Sequence, residues 1–265
     1  MTKRLVASAR TVEAPRVADP RVADVVLAGR LRAALFPPTY RDDPATGELQ
    51  GTGPGVVFVD LARALAARIG VELALIGYRT PSEVLGCLRA RACDVAFMGI
   101  ERRARGIGYT CPVVQLDYTC LVPAGSPIHD FADADRPGVR IAVVRDHLST
   151  RALRGRLRRA VQVATEVPDA AFELLRAGHV DAFAQLRSAL LDYSARLPGS
   201  RVLEHRYGAN LVGMAVAKGQ AGQLAYVSEF IKETKASGWV RRAIECAGLD
   251  VRGVQATPEK SPDRH

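Results

Sequence analysis

Residues 139–185 read VRIAVVRDHLSTRALRGRLRRAVQVATEVPDAAFELLRAGHVDAFAQ, and their pattern of apolar and polar residues indicates the fold class. Three short apolar runs predict buried β-strands, at Val139–Val144, Val161–Glu166 and Asp181–Gln185. The segments between them have helical spacing. Strands that alternate with helices predict a parallel α/β unit.

Two polar residues mark the starts of these helices. Ser149 can N-cap a helix that runs to about Ala160, and Asp169 can cap a helix over 170–177 that Gly178 ends.

The chain before residue 139 predicts the same alternation. Strands are predicted at Leu31–Phe36, Val71–Ile76 and Asp94–Met98, and a polar loop at Arg41–Pro54. One predicted helix has the apolar stripe Phe58, Leu61, Leu65 and Ile69 and ends at Gly70. A second helix is predicted at Pro81–Arg91. After residue 197, strands at Val202–Tyr207 and Leu211–Ala217 precede helices at Ala221–Lys235 and Trp239–Ala247.

Two such series predict two Rossmann-like α/β lobes. The last helices have no strand partner after Ala217, so we expect them to return to the first lobe. The chain then crosses between the lobes twice. Two crossing strands form a hinge, and a hinge over a cleft is typical of ligand binding.

Composition excludes several classes of protein. The 265 residues are 48% hydrophobic and 25% charged, which is typical of a globular protein, and no apolar run is long enough to span a membrane. The net charge of +9 comes mainly from 32 arginines among 37 basic residues. These are scattered without a recognition motif, so we expect no nucleic-acid partner.

No motif predicts a catalytic residue, a metal site or a cofactor. The five cysteines lack CxxC spacing, and the five histidines lack HxxxH or HExxH spacing. There is no GxSxG elbow and no phosphate-binding loop. The cysteines are interpreted as small buried residues, with one disulfide left open.

The ends of the chain are polar. Residues 1–24 are interpreted as an N-terminal arm and residues 251–265 as a C-terminal tail. The arm has basic residues without an apolar segment, so no secretory signal is visible.

Taken in order, several segments resemble the solute-binding proteins of ABC importers, family 3, the polar amino-acid-binding type with the type II periplasmic-binding-protein fold. These are LRAALFPPTY (31–40), VDLARALAARIGVEL (59–73), LRARACDVAFMG (88–99), GVRIAVVRDH (138–147), AFELLRAGHVDAFA (171–184) and SEFIKETKASGWV (228–240).

This resemblance implies one lobe from residues 25–118 plus 214–250 and a second from 119–213, with a small-molecule ligand between them. It also implies a monomer that delivers its ligand to an ABC permease from the periplasm. Because no signal is visible, the cytoplasm is the alternative location.

The resemblance also implies a residue that binds a ligand carboxylate. In relatives, an arginine lies six residues before an aromatic residue in an F-S-x-P motif. Tyr109-Thr110-Cys111-Pro112 stands for that motif here, which places the arginine at Arg103. A guanidinium matches two carboxylate oxygens, although the neighbouring Arg102 and Arg105 compete for the role.

Two departures from the family pattern change the expected ligand. Ile100 replaces a threonine. Relatives place a carboxylate for the ligand ammonium five residues after the aspartate that corresponds to Asp181, where this chain has Leu186. We therefore expect a ligand with a carboxylate and without an amino group, or a different small polar solute.

Further candidate ligand-binding residues lie on predicted loops, turns and hinge strands. They are Tyr40, Gly99, Asp117, Asp146, His147, Ser149, Thr150, Gln185 and Asn210. Ser149 is also a helix-cap candidate.

Two other functions share these features. A dehydratase on the same fold would use Asp146 or His147 as acid or base. A cytoplasmic small-molecule sensor would fit the absence of a visible signal.

Overall fold

The computed structural model describes residues 19–37, 39–100, 105–250 and 254–256. The strands are β1 (Arg30–Leu35), β2 (Tyr40–Asp42), β3 (Leu49–Gly51), β4 (Glu72–Gly77), β5 (Val95–Gly99), β6 (Ile107–Tyr109), β7 (Val114–Val122), β8 (Arg140–Val144), β9 (Val161–Thr165), β10 (Ala182–Leu186), β11 (Arg201–Val202), β12 (Gly208–Ala217) and β13 (Val254–Ala256).

A short 3-10 helix at Pro20–Val22 precedes the α-helices. These are α1 (Ala23–Leu27), α2 (Gly55–Ile69), α3 (Pro81–Arg89), α4 (Phe131–Ala134), α5 (Leu148–Arg154), α6 (Pro168–Arg176), α7 (Arg187–Ala195), α8 (Ala221–Ala236) and α9 (Trp239–Cys246). Among the described residues, no helix is both long and apolar enough to cross a lipid bilayer.

One large sheet joins two parallel units. Its central order is β4-β1-β5-β12-β7-β10-β8-β9. Strands β4, β1 and β5 are parallel to one another and form the first unit, and β10, β8 and β9 form the second. Strands β12 and β7 lie between the units and pair antiparallel with each other. The predicted alternation of strands and helices is confirmed in both units.

The first unit packs around α2. Phe58, Leu61 and Leu65 are each at most 1% exposed, and Gly70 ends the helix in the left-handed conformation with φ 84°. This first core also includes Leu31 of β1 and Phe230 of α8. The helical stripe and its glycine cap are therefore confirmed, and the last helices do return to the first unit.

The second unit has a core on each face of its sheet. The second core contains Tyr118, Ile141 and Tyr207, and the third contains Phe172 and Phe183. Leu186, at the end of β10, packs against both the first and the second core. The side chain at the position of the family carboxylate thus lies where the two units meet.

Both predicted helix caps in the second unit are wrong. His147 is the N-cap of α5, because its ring nitrogen accepts from the Ser149 N–H, and the helix ends at Arg154. Val167 is the N-cap of α6, and Pro168 takes the first helical position. Asp169 instead accepts from the Tyr193 hydroxyl at 3.1 Å.

Two predicted segments differ in extent. The polar loop 41–54 contains part of a hairpin, in which β2 and β3 pair antiparallel. The strand predicted at Val202–Tyr207 shortens to β11, in which Arg201 and Val202 pair with β7. The Tyr207 N–H still donates to the Tyr118 carbonyl of β7 at 3.0 Å, and its ring lies in the second core.

Within the described residues, neither end of the chain is a simple polar arm or tail. Val22 is 2% exposed in the first core. Strand β13 pairs antiparallel with Val114–Leu116 of β7. The amino half of β7 therefore lies between β12 and β13, which gives the hinge region a third strand.

Candidate functional site

The turn after β8 carries four predicted site residues. Asp146 has φ 57° and is exposed. His147 caps α5, while Ser149 and Thr150 are buried in its first turn. The Thr150 hydroxyl donates to the Val144 carbonyl at 2.6 Å, which fixes the helix against the end of β8.

Three of the predicted residues make direct contact. His147 Nδ1 lies 2.7 Å from Ser149 Oγ and accepts from the Ser149 N–H at 3.2 Å. Gln185, 3% exposed, accepts from Ser149 Oγ at 3.4 Å. The residues meet because β8 and β10 are parallel neighbours, and their carboxyl ends reach the same edge of the sheet.

Burial controls the charge of this group. It lowers the pKa of the His147 imidazole, so the neutral ring is favoured. A neutral ring leaves Nδ1 free to accept from Ser149. The three side chains form a neutral polar group suited to hydrogen bonding.

Tyr207 extends this group and is missed by sequence reasoning. Its hydroxyl lies beside Ser149 and is the one buried side-chain polar atom of the described residues without a hydrogen bond of ordinary geometry. Burial raises the pKa of Tyr207 well above its usual value, so it stays protonated. Its position after a short strand gives no signal of this contact in the sequence.

Two predicted residues meet where β5 and β12 pair. A Cβ on Gly99 would lie 2.6 Å from the Asn210 amide oxygen, so only a glycine allows this approach without movement of Asn210. Gly99 is thus needed to seat a polar amide beside the end of β5.

Tyr40 lies apart from these contacts, on the first unit. Its hydroxyl donates to the Tyr78 carbonyl at 3.3 Å, and its ring covers Gly77 at the end of β4. Tyr40 therefore packs over the carboxyl end of a first-unit strand, the edge on which ligand sites of open α/β sheets lie.

Asp117 lies on the hinge strand β7 with a partner that sequence reasoning missed. Its carboxylate accepts from Arg206 at 2.9 Å and from Gln115 at 2.9 Å. The Asp117 side chain is 9% exposed and that of Arg206 is 48% exposed. The acid is already neutralised by a guanidinium.

Arg103, the predicted carboxylate-binding residue, lies outside the described residues, as does Arg102. Its role remains a prediction. Arg105 is described and exposed, and its carbonyl accepts from Arg89 Nε at 3.2 Å.

The described cavities lie elsewhere. One of about 290 Å³ is lined by residues 20–25 and 219–223, and one of about 100 Å³ lies next to it by Arg32 and Asp94. Both are on the side of the amino ends of β1 and β5, and no predicted site residue lines them. The contacts above, rather than a cavity, define the candidate site.

Comparison with known sequences identifies the family. The profile of the bacterial extracellular solute-binding proteins, family 3, matches residues 32–245. The chain belongs to this family. The match spans both units of this family 3 protein and the turn after β8. No curated protein sequence matches it significantly.

Solved structures confirm the type II periplasmic-binding-protein fold of this solute-binding protein. An ancestral amino-acid-binding protein, a precursor of cyclohexadienyl dehydratase, has a TM-score of 0.66 and 24% identity over 85% of this chain and 97% of that one.

Two further structures are similar. An ABC transporter binding component from Wolinella succinogenes, complexed with lysine, has a TM-score of 0.69 and 21% identity over 84% of this chain and 97% of its own. A Streptococcus pneumoniae amino acid ABC transporter substrate-binding protein, bound to L-arginine, has a TM-score of 0.64 and 20% identity over 89% and 99%.

Proposed function

We propose that this protein captures a small carboxylate-bearing ligand between two lobes and delivers it to an ABC importer. The observation that carries the proposal is the family match over both units. The lobes are residues 25–118 plus 214–250 and residues 119–213, with β7 and β12 as the hinge. Site groups on both sides of this hinge suit closure around a ligand.

Two lines support a carboxylate ligand. The neighbouring structures from Wolinella succinogenes and Streptococcus pneumoniae hold lysine and L-arginine, which both carry a carboxylate. Arg103 is the residue that the family resemblance predicts to bind that group. The neutral group of His147, Ser149 and Gln185 would donate or accept hydrogen bonds to the rest of the ligand.

The candidate site is less suited to the α-ammonium group of an amino acid than to its carboxylate. Leu186 packs against two cores where relatives have an acid. Asp117 is already bound to Arg206 and Gln115. A cation without a carboxylate partner would be costly to bury. The preferred ligand is therefore a 2-hydroxy or des-amino acid.

Matched ligand pairs test this preference. A thermal-shift screen of carboxylates, amino acids and amines comes first, since a ligand at 100 times its Kd stabilises by about 2.7 kcal/mol. Calorimetry then compares each acid with its 2-amino analogue. We expect tighter binding of the analogue without the ammonium, whereas tighter binding of the amino acid would show that another group binds the ammonium.

The family supports a location and a partner for this proposal, since its members are extracellular solute-binding proteins. We infer a periplasmic monomer that meets an ABC permease. A cytoplasmic sensor is the alternative, and mass spectrometry of the N-terminus after cell fractionation separates the two.

The dehydratase alternative is supported by one observation, the neutral His147 held beside Ser149. A dehydratase would break the C–O bond and a neighbouring C–H or C–C bond of a bound cyclohexadienyl acid, so that the hydroxyl group leaves as water and the ring becomes aromatic. His147→Ala would abolish that turnover. If the protein only binds its ligand, neither the unmodified protein nor His147→Ala should convert the acid.

A further inference from the structure

Two cysteines meet beneath the first unit's sheet. Cys87 lies on α3 and Cys93 lies two residues before β5, and they are 6% and 2% exposed in one apolar cluster. Their side chains belong to the same buried cluster and lie close enough to interact. Both are free cysteines in this structure.

The end of α3 explains why they meet. Arg91 is left-handed with φ 55°, and the Ala92 N–H returns to the Cys87 carbonyl at 3.0 Å. This arrangement is a Schellman motif, which reverses the chain at a helix end. It places Cys93 beside the last turn of α3, so the contact is fixed by the backbone.

Tyr78 holds one of the sulfurs in place. Its hydroxyl donates to Cys87 Sγ at 2.7 Å. Together with burial, this contact raises the pKa of Tyr78 to about 12, so the hydroxyl remains a donor. A disulfide sulfur keeps lone pairs, and the contact survives oxidation.

We propose that Cys87 and Cys93 are a dithiol that converts to an intramolecular disulfide by exchange with a small or protein disulfide. The site is distinct from the candidate ligand site. The cross-link would tie the end of α3 to the start of β5 across five intervening residues.

The exchange takes two steps. A Cys87 thiolate attacks one sulfur of the oxidant disulfide, which forms a mixed disulfide and releases one thiol of the oxidant. Cys93 then attacks Cys87 Sγ, and the second oxidant thiol leaves. The two protein protons end on the two released thiols, so the oxidant gains the two electrons that the protein loses.

Burial sets the order of attack. It raises the pKa of the Cys93 thiol, which keeps that sulfur protonated. The more exposed Cys87 is therefore the entry point, and Cys93 reacts second. We expect slow formation in the folded protein for the same reason.

The other three cysteines lack a described thiol neighbour. Cys120 is 1% exposed in the second core, and burial raises its pKa to about 12. Cys111 lies 3.9 Å from Lys235 Nζ, and Cys246 is exposed on α9. None of them is placed to compete for Cys87.

The test counts free thiols after incubation with oxidised glutathione. The reduced protein, denatured and alkylated, should carry five labels, one for each cysteine. The oxidised protein should carry three and lose the mass of two hydrogens. Peptide mapping without reduction should find Cys87 joined to Cys93.

Two matched variants act as controls. Cys87→Ala should keep four labels after the same treatment, because the first attacking thiol is missing. Cys93→Ala should carry three labels and one glutathione, because the mixed disulfide at Cys87 then has no second thiol to resolve it. The oxidised unmodified protein should melt at a higher temperature than the reduced one. Five labels on the unmodified protein, or a link through Cys246 in place of this pair, would overturn the proposal without bearing on ligand binding.

Discussion

At the scale of single residues, His147 makes stability depend on pH. Burial lowers the pKa of the imidazole, and its neutral Nδ1 caps α5. A group with a lowered folded pKa contributes stability above its unfolded value, near 6.5. That contribution is lost as the pH falls from about 6.5 through the folded pKa.

His147→Asn provides the comparison, because asparagine caps helices and does not titrate. Urea unfolding at pH 7.5 and pH 5.5 should show a larger loss of unfolding free energy for the unmodified protein than for the variant. Equal losses of unfolding free energy would mean that folding does not change the protonation of His147 between these two pH values.

Leu186 carries a second prediction at this scale. Its side chain packs against both the first and the second core, so a charge there is poorly solvated. Leu186→Asp should lower the unfolding free energy by about 3 kcal/mol, through lost packing and a buried carboxylate. Leu186→Met keeps the volume and should cost less than about 1.5 kcal/mol. Chemical denaturation measures both, and a harmless aspartate would show that this side chain faces solvent in the cleft.

At the scale of elements, the end of α3 is strained at Arg91. A left-handed backbone costs a residue with a Cβ on the order of 1 kcal/mol, and glycine avoids that cost. Arg91 is exposed with φ 55°. Arg91→Gly should therefore stabilise the protein by about 0.5–1 kcal/mol.

Gly70, which ends α2, is the matched control, because it is a glycine in the same left-handed conformation. It has φ 84°, and a Cβ added there would meet no atom within 4 Å, so only the backbone conformation is tested. Gly70→Ala should destabilise by about 1 kcal/mol. The melting temperature should rise for Arg91→Gly and fall for Gly70→Ala. A shift of the same sign in both variants would contradict this account.

At the scale of the whole molecule, one ion pair connects the second unit to the end of the chain. Arg187 of α7 donates to Asp250 at 2.8 Å and to the Leu203 carbonyl at 2.7 Å, and its side chain is 6% exposed. Asp250 follows α9, which packs on the first unit. The pair therefore holds the two units together beside the third strand of the hinge region.

Asp250→Ala should lower the unfolding free energy by about 3–5 kcal/mol, because it leaves a buried guanidinium without its charge partner. The control is Asp181→Ala, which breaks an exposed pair with Arg140 and should cost less than about 1 kcal/mol. If denaturation finds equal effects for the two variants, the Arg187 guanidinium reaches solvent and the connection is weak.

The candidate site was partly predictable. His147, Ser149 and Gln185 follow neighbouring parallel strands, and the rule that carboxyl ends share an edge brings them together. Arg206 and Tyr207 were missed, because their partners Asp117 and Ser149 are 89 and 58 positions away in the sequence. No local pattern reports such contacts.

Local patterns in the sequence predict the alternation of strands and helices, the apolar stripe of α2 and its glycine cap, since periodicity and capping act within a few residues. Two arrangements become visible only in the folded chain. The amino half of β7 lies between β12 and β13, and Leu186 packs against two cores. These arrangements depend on which distant surfaces bury one another, and hydrophobic burial does not specify its partner along the chain.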